Sequence, residues 1–399
     1  MKILLLRPLN PFFESSASGN RFAGIIDGLL KQGVKVTLVV TGGYNDVNEY
    51  KEIRKNKKNE NLTVIYTVCT FSHKLWLRRM NVFLLSWLFA LISNIKLKRL
   101  FNADFDFVWL TNNGDILAAF NKNFGLIKGK TIIELNEFND FYKGEGQIGN
   151  PLQLRKAEMS NQNFLKAVKK IDLFAVMTFT LIRHFQTLAK PDAHFFHLPM
   201  TVDMKRFQAI QKTNNYNKPY IAFTGTYTNT KDGVDVLIHA FAKTNKLYPD
   251  FHLYLAGFYH YDVPMQKKLI EDYQLNNKIT YLGILNKYQI PEFLQNADLL
   301  VLSRPDSHQA QGGFPTKLGE YLATGNPVCV TRVGEIPDYL EDNVSAFMAE
   351  PGSVDSFADA MNRALSDKEN ARRVGLNGRK VAEEHFSIDV QAERLIKFF

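Results

Sequence analysis

Cysteine is nearly missing from this chain: Cys69 and Cys329 are the two in 399 residues, and they stand far apart. Such a pair forms neither a disulfide framework nor a thiolate metal site, and it suits a reducing compartment. No apolar run approaches the roughly 20 residues that a transmembrane helix needs. The opening stretch, Met1 to Leu6, breaks off at Arg7 and Pro8, too soon for the apolar centre of a signal peptide, and is expected to form a buried first strand. No cluster of His, Cys and Asp has metal-ligand spacing, so neither a metal nor another cofactor is expected. Paired carboxylates of the hydrolase type are missing, and so are nucleic-acid-binding motifs, which removes nucleic acid from the expected partners.

What is present fits a two-domain α/β chain. The length exceeds what one core serves, and 45% hydrophobic residues supply ample interior. A formal net charge of +9 points to anionic partners, nucleotide diphosphates and acidic lipid among them. An apolar run at 3–6, a loop at 8–18, a helical pattern through Phe22, Ile25, Ile26, Leu29 and Leu30 that stops at Gly33, and a second run at 34–40 open a parallel α/β domain. Further strands are expected at 106–110, at 131–135 with Glu134, Asn136 and Glu137 at its carboxyl end, at 173–177 and at 193–198. After a polar linker at 208–218, a second series runs through 220–223, 253–257, 279–282, 298–303 and 328–330. Gly144, Gly146 and Gly149 spell GxGxxG, but polar residues separate them from the preceding strand and Glu145 would repel a pyrophosphate, so no dinucleotide site is expected there.

One stretch has the look of a phosphate cradle. Gly312 and Gly313 let the backbone approach a ligand, Pro315 suits a first helical position, and the free amides of the following turn would face an anion. Three and four residues beyond Lys317, Glu320 and Tyr321 come to the same side of the helix, so a cation and a carboxylate can address one ligand. Gly325 and Pro327 end the helix.

This stretch resembles the donor-site motif of retaining glycosyltransferases of family four (glycosyl transferases group 1), and the resemblance runs through most of the chain. It implies the GT-B fold, two facing Rossmann-like domains with a cleft between them. An acceptor-side domain would span 1–200 and a nucleotide-sugar-binding domain 201–386, with a last helix at 387–399 returning to the first. In the family a Glu, seven residues and a second Glu bracket the turn; Glu320 keeps the second place, which holds the donor ribose, and Gly312 stands at the first. A basic pair commonly follows the first strand of the second domain; Lys231 keeps its second place and Thr226 replaces the Arg. The interdomain signature is matched from Leu198 through Asp203 to Phe207, with Met200 and Thr201 in place of Asn and Gly. The resemblance thus implies that Lys231, Lys317 and Glu320 carry the reaction. Gly19, Gly225, Thr226, Gly283, Ile284, Leu285, Gly312, Gly313, Phe314, Pro315 and Thr316 would surround the donor, and Asn20, Arg21 and Glu137 would lie on the acceptor side. Asp104 and Asp106 spell the acidic pair of metal-dependent glycosyltransferases of another fold, but here they merely precede a strand.

The expected function is metal-independent transfer of a sugar, with UDP-sugar the favoured donor, to a sugar or lipid-linked acceptor in cell-surface polysaccharide or glycolipid synthesis. A non-catalytic nucleotide-sugar-binding subunit of a membrane-associated assembly is the alternative, kept open by the missing Glu at 312 and Arg at 226. A same-fold epimerase, which needs no acceptor, is a further one. The segment 74–99 is apolar on nearly every side and carries Arg78, Arg79, Lys96, Lys98 and Arg99 at its flanks. It must be buried, either against the first domain's sheet or in the interface of an anionic membrane. The location implied is cytoplasmic, and peripheral on the inner face of the cell membrane if the second alternative holds.

Overall fold

Continuous runs of Val, Ile, Leu and Phe read as strands buried on both faces, the mark of parallel sheets covered by helices. The computed structural model describes residues 1–14, 17–42, 60–67, 86–138, 151–208, 216 and 219–399. Cys69, residues 74–85 and the glycines at 144, 146 and 149 lie outside these. The chain divides into two compact units, Met1–Leu198 with Ala392–Phe399, and Pro199–Gln391.

In the first unit, β1 (Lys2–Arg7), β2 (Lys35–Val40), β3 (Leu62–Tyr66), β4 (Phe107–Thr111), β5 (Lys130–Leu135), β6 (Leu173–Val176) and β7 (His194–His197) form a parallel sheet in the order β3-β2-β1-β4-β5-β6-β7. The helices between them are α1 (Ala17–Lys31), α2 (Ser86–Phe101), α3 (Gly114–Asn123), α4 (Pro151–Val168) and α5 (Phe179–Gln186). Phe22, Ile25, Ile26 and Leu29 of α1 join Ile3, Leu5, Val36 and Leu38 in the core, and the helix stops at Gly33, whose φ of +77° an L side chain rarely adopts. The chain's end completes this core. The Phe399 ring lies 4.5 Å from that of Phe107 and 6.2 Å from that of Trp109, and the Phe398 ring 5.0 Å from Phe196. Full burial of such a side chain contributes roughly 1.5–3 kcal/mol, and the half-buried Phe398 and Phe399 contribute less.

In the second unit, β8 (Tyr220–Thr226), β9 (His252–Phe258), β10 (Ile279–Gly283), β11 (Leu299–Leu302), β12 (Val328–Thr331) and β13 (Phe347–Ala349) form a parallel sheet in the order β10-β9-β8-β11-β12-β13. Its helices are α6 (Asn229–Asp232), α7 (Val234–Leu247), α8 (Val263–Asp272), α9 (Gln289–Gln295), α10 (His308–Gly312), α11 (Thr316–Thr324), α12 (Ile336–Tyr339), α13 (Val354–Ser366), α14 (Lys368–Val381) and α15 (Ile388–Phe398), the last of which ends in the first unit. Both units are Rossmann-like.

β3 and β13 have no counterpart in the sequence reading. β3 is a half-buried edge strand and β13 has three residues, so neither carries the apolar run that marks a central strand. Of the two alternatives for the apolar segment, α2 departs from complete burial against the sheet. Leu97 and Phe101 are buried, but Leu91, Ile92 and Ile95 are exposed, so this part of the apolar segment is covered on one side only.

Candidate active site

The strand order of the second sheet reverses between β8 and β11, and ligands of open α/β sheets gather at the carboxyl ends of the strands flanking such a point. Gly225 and Thr226 end β8, and Ser303 and Arg304 follow β11. Ser303 Oγ donates to the carbonyls of Gly233 (2.8 Å) and Asp232 (3.2 Å), which ties the start of α7 to the end of β11. The one-turn helix α6 is capped by Thr228, whose Oγ1 accepts from the Asp232 amide at 3.1 Å. Together these bonds fix Asp232 beneath the strand ends.

Lys317 reaches into that corner from the first turn of α11. Its Nζ donates to Asp232 Oδ1 at 2.7 Å and lies 4.9 Å from the centroid of the Phe223 ring, with 18% of the side chain exposed. Burial lowers the Lys317 pKa, Asp232 draws it back up, and the positive charges of Arg304 and Lys231 lower it again. Three cations therefore feel one another at one strand end. Gly225 makes the approach feasible: its φ is +155°, and a Cβ on it would stand 2.2 Å from Lys317 Nζ. α11 opens at Pro315 with no side-chain cap, leaving its first-turn amides to other acceptors. Pro315 is thus the residue before the helix rather than its first.

Glu320, the next turn along, pairs with Arg206 of the turn Met204–Phe207, and Arg206 Nη2 also donates to the Lys287 carbonyl at 3.2 Å. Lys287 follows the turn at Gly283, Ile284 and Leu285. Gly283 has a φ of +71°, and its amide donates to Tyr227 Oη at 3.2 Å. Tyr227 in turn donates to the Leu255 carbonyl at 2.9 Å, and burial pushes its pKa up to about 12, so it keeps its proton. Ile284 is exposed and Leu285 half-buried.

Some expected site residues stand elsewhere. Tyr321 does not share a ligand with Lys317: it is fully buried, and its Oη accepts from the Thr224 amide at 2.7 Å. Position 321 follows Lys317 by a whole turn, but the ring side of α11 faces the sheet. Phe314 sends its ring into an aromatic cluster with Tyr339 and Phe386, at 5.6 and 5.3 Å, so only its backbone remains for a ligand. Gly312 ends α10 and Gly313 follows it with an ordinary φ of −113°; neither needs glycine for its dihedrals. Thr226 and Thr316 are half-buried, and Lys231 is exposed on α6.

In the first unit Arg21 is withdrawn from solvent. Its Nε donates to Glu134 Oε1 at 2.9 Å and its Nη2 to the Leu198 carbonyl at 3.0 Å, with 2% and 1% of the two side chains exposed. It braces α1 against β5 and is not offered to an acceptor. Gly19 lets Glu14 cross α1, for a Cβ there would stand 2.5 Å from Glu14 Cβ; Glu14 pairs with Arg7 at 2.9 Å. Asn20 and Glu137 are half-buried.

Asp232, Arg304 and Arg206 escaped the sequence reading. For Asp232 a signal exists: an acid between Lys231 and a glycine that must turn left-handed, Gly233 at φ +67°, is held inward by the turn. Arg206 offers none beyond its place before Phe207. Among the described residues no group of three or more His, Cys, Asp or Glu gathers at metal-binding range, and no helix is long and apolar enough to cross a membrane.

Residues 205–381, all within the second unit, match the family glycosyl transferases group 1. A GDP-mannose-dependent monoacylated alpha-(1-6)-phosphatidylinositol monomannoside mannosyltransferase of Corynebacterium glutamicum is 26% identical over 250 residues, 59% of this chain and 64% of that protein. An MMP alpha-(1->4)-mannosyltransferase of Mycolicibacterium hassiacum is 27% identical over 191 residues, 48% of this chain and 44% of that protein. The chain thus spans less than two thirds of either relative. Solved structures cover it whole: sucrose-phosphate synthase from Thermosynechococcus elongatus (TM-score 0.73, 13% identity, 98% of that chain) and Anabaena HepE in complex with UDP and glucose (TM-score 0.70, 14% identity, 99% of that chain). The fold is GT-B.

Proposed function

We propose, for a chain whose second unit is a glycosyl transferases group 1 domain, that it moves a sugar from a nucleotide diphosphate sugar to an acceptor hydroxyl with retention at the anomeric carbon. The observation that carries this reading is the half-buried Lys317 ammonium at the switch point, in electrostatic reach of Arg304 and Lys231. As the bond from the anomeric carbon to the diphosphate breaks, negative charge grows on the departing phosphate. Cations and amides fixed in advance lower the barrier most where charge appears. The acceptor oxygen bonds to the same face of the sugar, and its proton passes to the departing phosphate. Glu320 accepts from the ribose hydroxyls and positions the donor.

UDP is the favoured nucleotide, in keeping with the UDP-bound neighbour; the GDP-mannose-dependent relative makes GDP the main competitor. At a fixed concentration, a ligand that binds only the folded state raises the melting temperature by more the tighter it binds. UDP-sugars should therefore shift the transition more than GDP-, dTDP- or CMP-sugars, and transfer to an acceptor should continue in EDTA. A loss of transfer in EDTA restored by Mn²⁺ would count against a site that neutralises the diphosphate with lysines, arginine and amides. One observation favours the non-catalytic alternative: Lys317 and Glu320 are both already ion-paired. Binding of nucleotide sugar without any turnover would decide for it.

For the acceptor we propose a lipid-linked one, met at an anionic membrane through α2. Leu91 and Ile95, 50% and 47% exposed, form an apolar face with Ile92, and Lys98 and Arg99 are exposed in the last turn. Each basic residue at an acidic surface contributes about 1 kcal/mol. Sedimentation with vesicles should increase with acidic lipid and fall with salt, and Lys98→Gln with Arg99→Gln should weaken it roughly tenfold or more. Unchanged sedimentation of that variant, or none by the parent protein, removes the membrane contact.

A further inference from the structure

We propose that Arg206 is the positioning residue that makes the nucleotide site select ribose. This rests on the reading above, in which Glu320 meets the ribose hydroxyls. Arg206 leaves a fixed base: the Asp203 side chain accepts from the Lys205 amide at 3.0 Å, and Phe207 is buried beside the guanidinium, 5.6 Å from ring centroid to Cζ. From there the two ends of one planar fork hold two different elements, Glu320 Oε1 on α11 through Nη1 and the Lys287 carbonyl through Nη2. A guanidinium fixes the separation and orientation of two acceptors in a way that an ammonium does not.

Two consequences follow for a nucleoside. With Oε1 taken by Arg206, the carboxylate plane of Glu320 is set and Oε2 is left to accept from a ribose hydroxyl. The loop that would run along the base is held at both ends, at Gly283 by Tyr227 and at Lys287 by Arg206, with Ile284 and Leu285 between. An arginine-held glutamate has also lost, before binding, the rotamer freedom that ligand binding would otherwise remove; for a glutamate this corresponds to roughly tenfold in affinity. Without Arg206 the carboxylate swings, so the interaction with the 2′-hydroxyl is the first to go, while the loop keeps its anchor at Gly283.

The test compares UDP with 2′-deoxy-UDP, and GDP with 2′-deoxy-GDP, by calorimetry on the full chain, with steady-state kinetics on the sugar donor of the tighter base. The parent protein should prefer the ribonucleotide by roughly tenfold or more. Arg206→Gln should weaken the ribonucleotide about tenfold, leave the deoxyribonucleotide within about twofold, and raise KM for the donor by more than it lowers kcat. Arg206→Lys, which keeps a charge for Glu320 but cannot also hold the Lys287 carbonyl, should recover part of the ribose preference. A merely structural arginine would weaken both nucleotides alike. A ribose preference that survives Arg206→Gln, or a parent protein that binds ribo- and deoxyribonucleotides equally, overturns the proposal while leaving nucleotide-sugar transfer standing. A parent protein that binds no nucleotide overturns both.

Discussion

Lys317→Met should lower turnover by about 10²- to 10³-fold, the loss of one preorganised group worth roughly 3–4 kcal/mol where charge develops. Met keeps the length and apolar stem of the side chain but not the charge that faces the departing diphosphate. The same change strands Asp232, 6% exposed, with its ammonium partner gone. An unpaired buried carboxylate destabilises by about 3–5 kcal/mol, which would by itself lower activity through unfolding. The double variant Lys317→Met with Asp232→Asn separates the two: the melting temperature should return toward that of the parent while turnover stays low. Full turnover in either folded variant would place the diphosphate elsewhere. A second readout is pH. Because burial lowers the Lys317 pKa, this ammonium loses its proton before ordinary lysines do, and the attraction for the diphosphate goes with it. The alkaline fall of kcat/KM in the parent should thus begin below the usual lysine value of 10.5.

Arg21→Ala should destabilise the first unit by about 3 kcal/mol, a large share of the roughly 5–15 kcal/mol that holds a typical protein folded. The Arg21–Glu134 pair is sealed from water, and Glu134 Oε2 has no hydrogen-bond partner among the described residues in any case. Removing the arginine leaves the carboxylate at the end of β5 with half its compensation gone. The figure lies at the low end for a broken buried pair because Arg7 is near enough to Glu134 for their charges to interact. Urea or guanidinium unfolding measures the loss. Replacing both partners, Arg21→Met with Glu134→Gln, should recover most of it, since neither charge is then left buried. A loss below about 1 kcal/mol for Arg21→Ala would mean that water reaches Glu134 and that the pair is an ordinary surface one.

What the amino-acid sequence determined by itself was everything that local chemistry dictates. Apolar runs such as Ile3 to Leu6 and Leu299 to Leu302 are strands because nothing polar interrupts them, and α11 stops at Gly325 because its φ of +75° suits glycine. The alternation of such runs with helical patterns determined the parallel sheets, and Lys317 and Glu320 could be placed on one helix from their spacing. The tertiary structure alone decided what those side chains touch. Lys317 finds Asp232 across 85 positions, Arg21 finds Glu134 across 113, and Glu320 finds Arg206 across 114. Each partner is set by which strands lie side by side, and strand order is a property of the whole sheet. The same cause took Tyr321 into the core and left one side of α2 exposed. A helical period says which residues share a side, and only the packed neighbours say whether that side meets a sheet or open water.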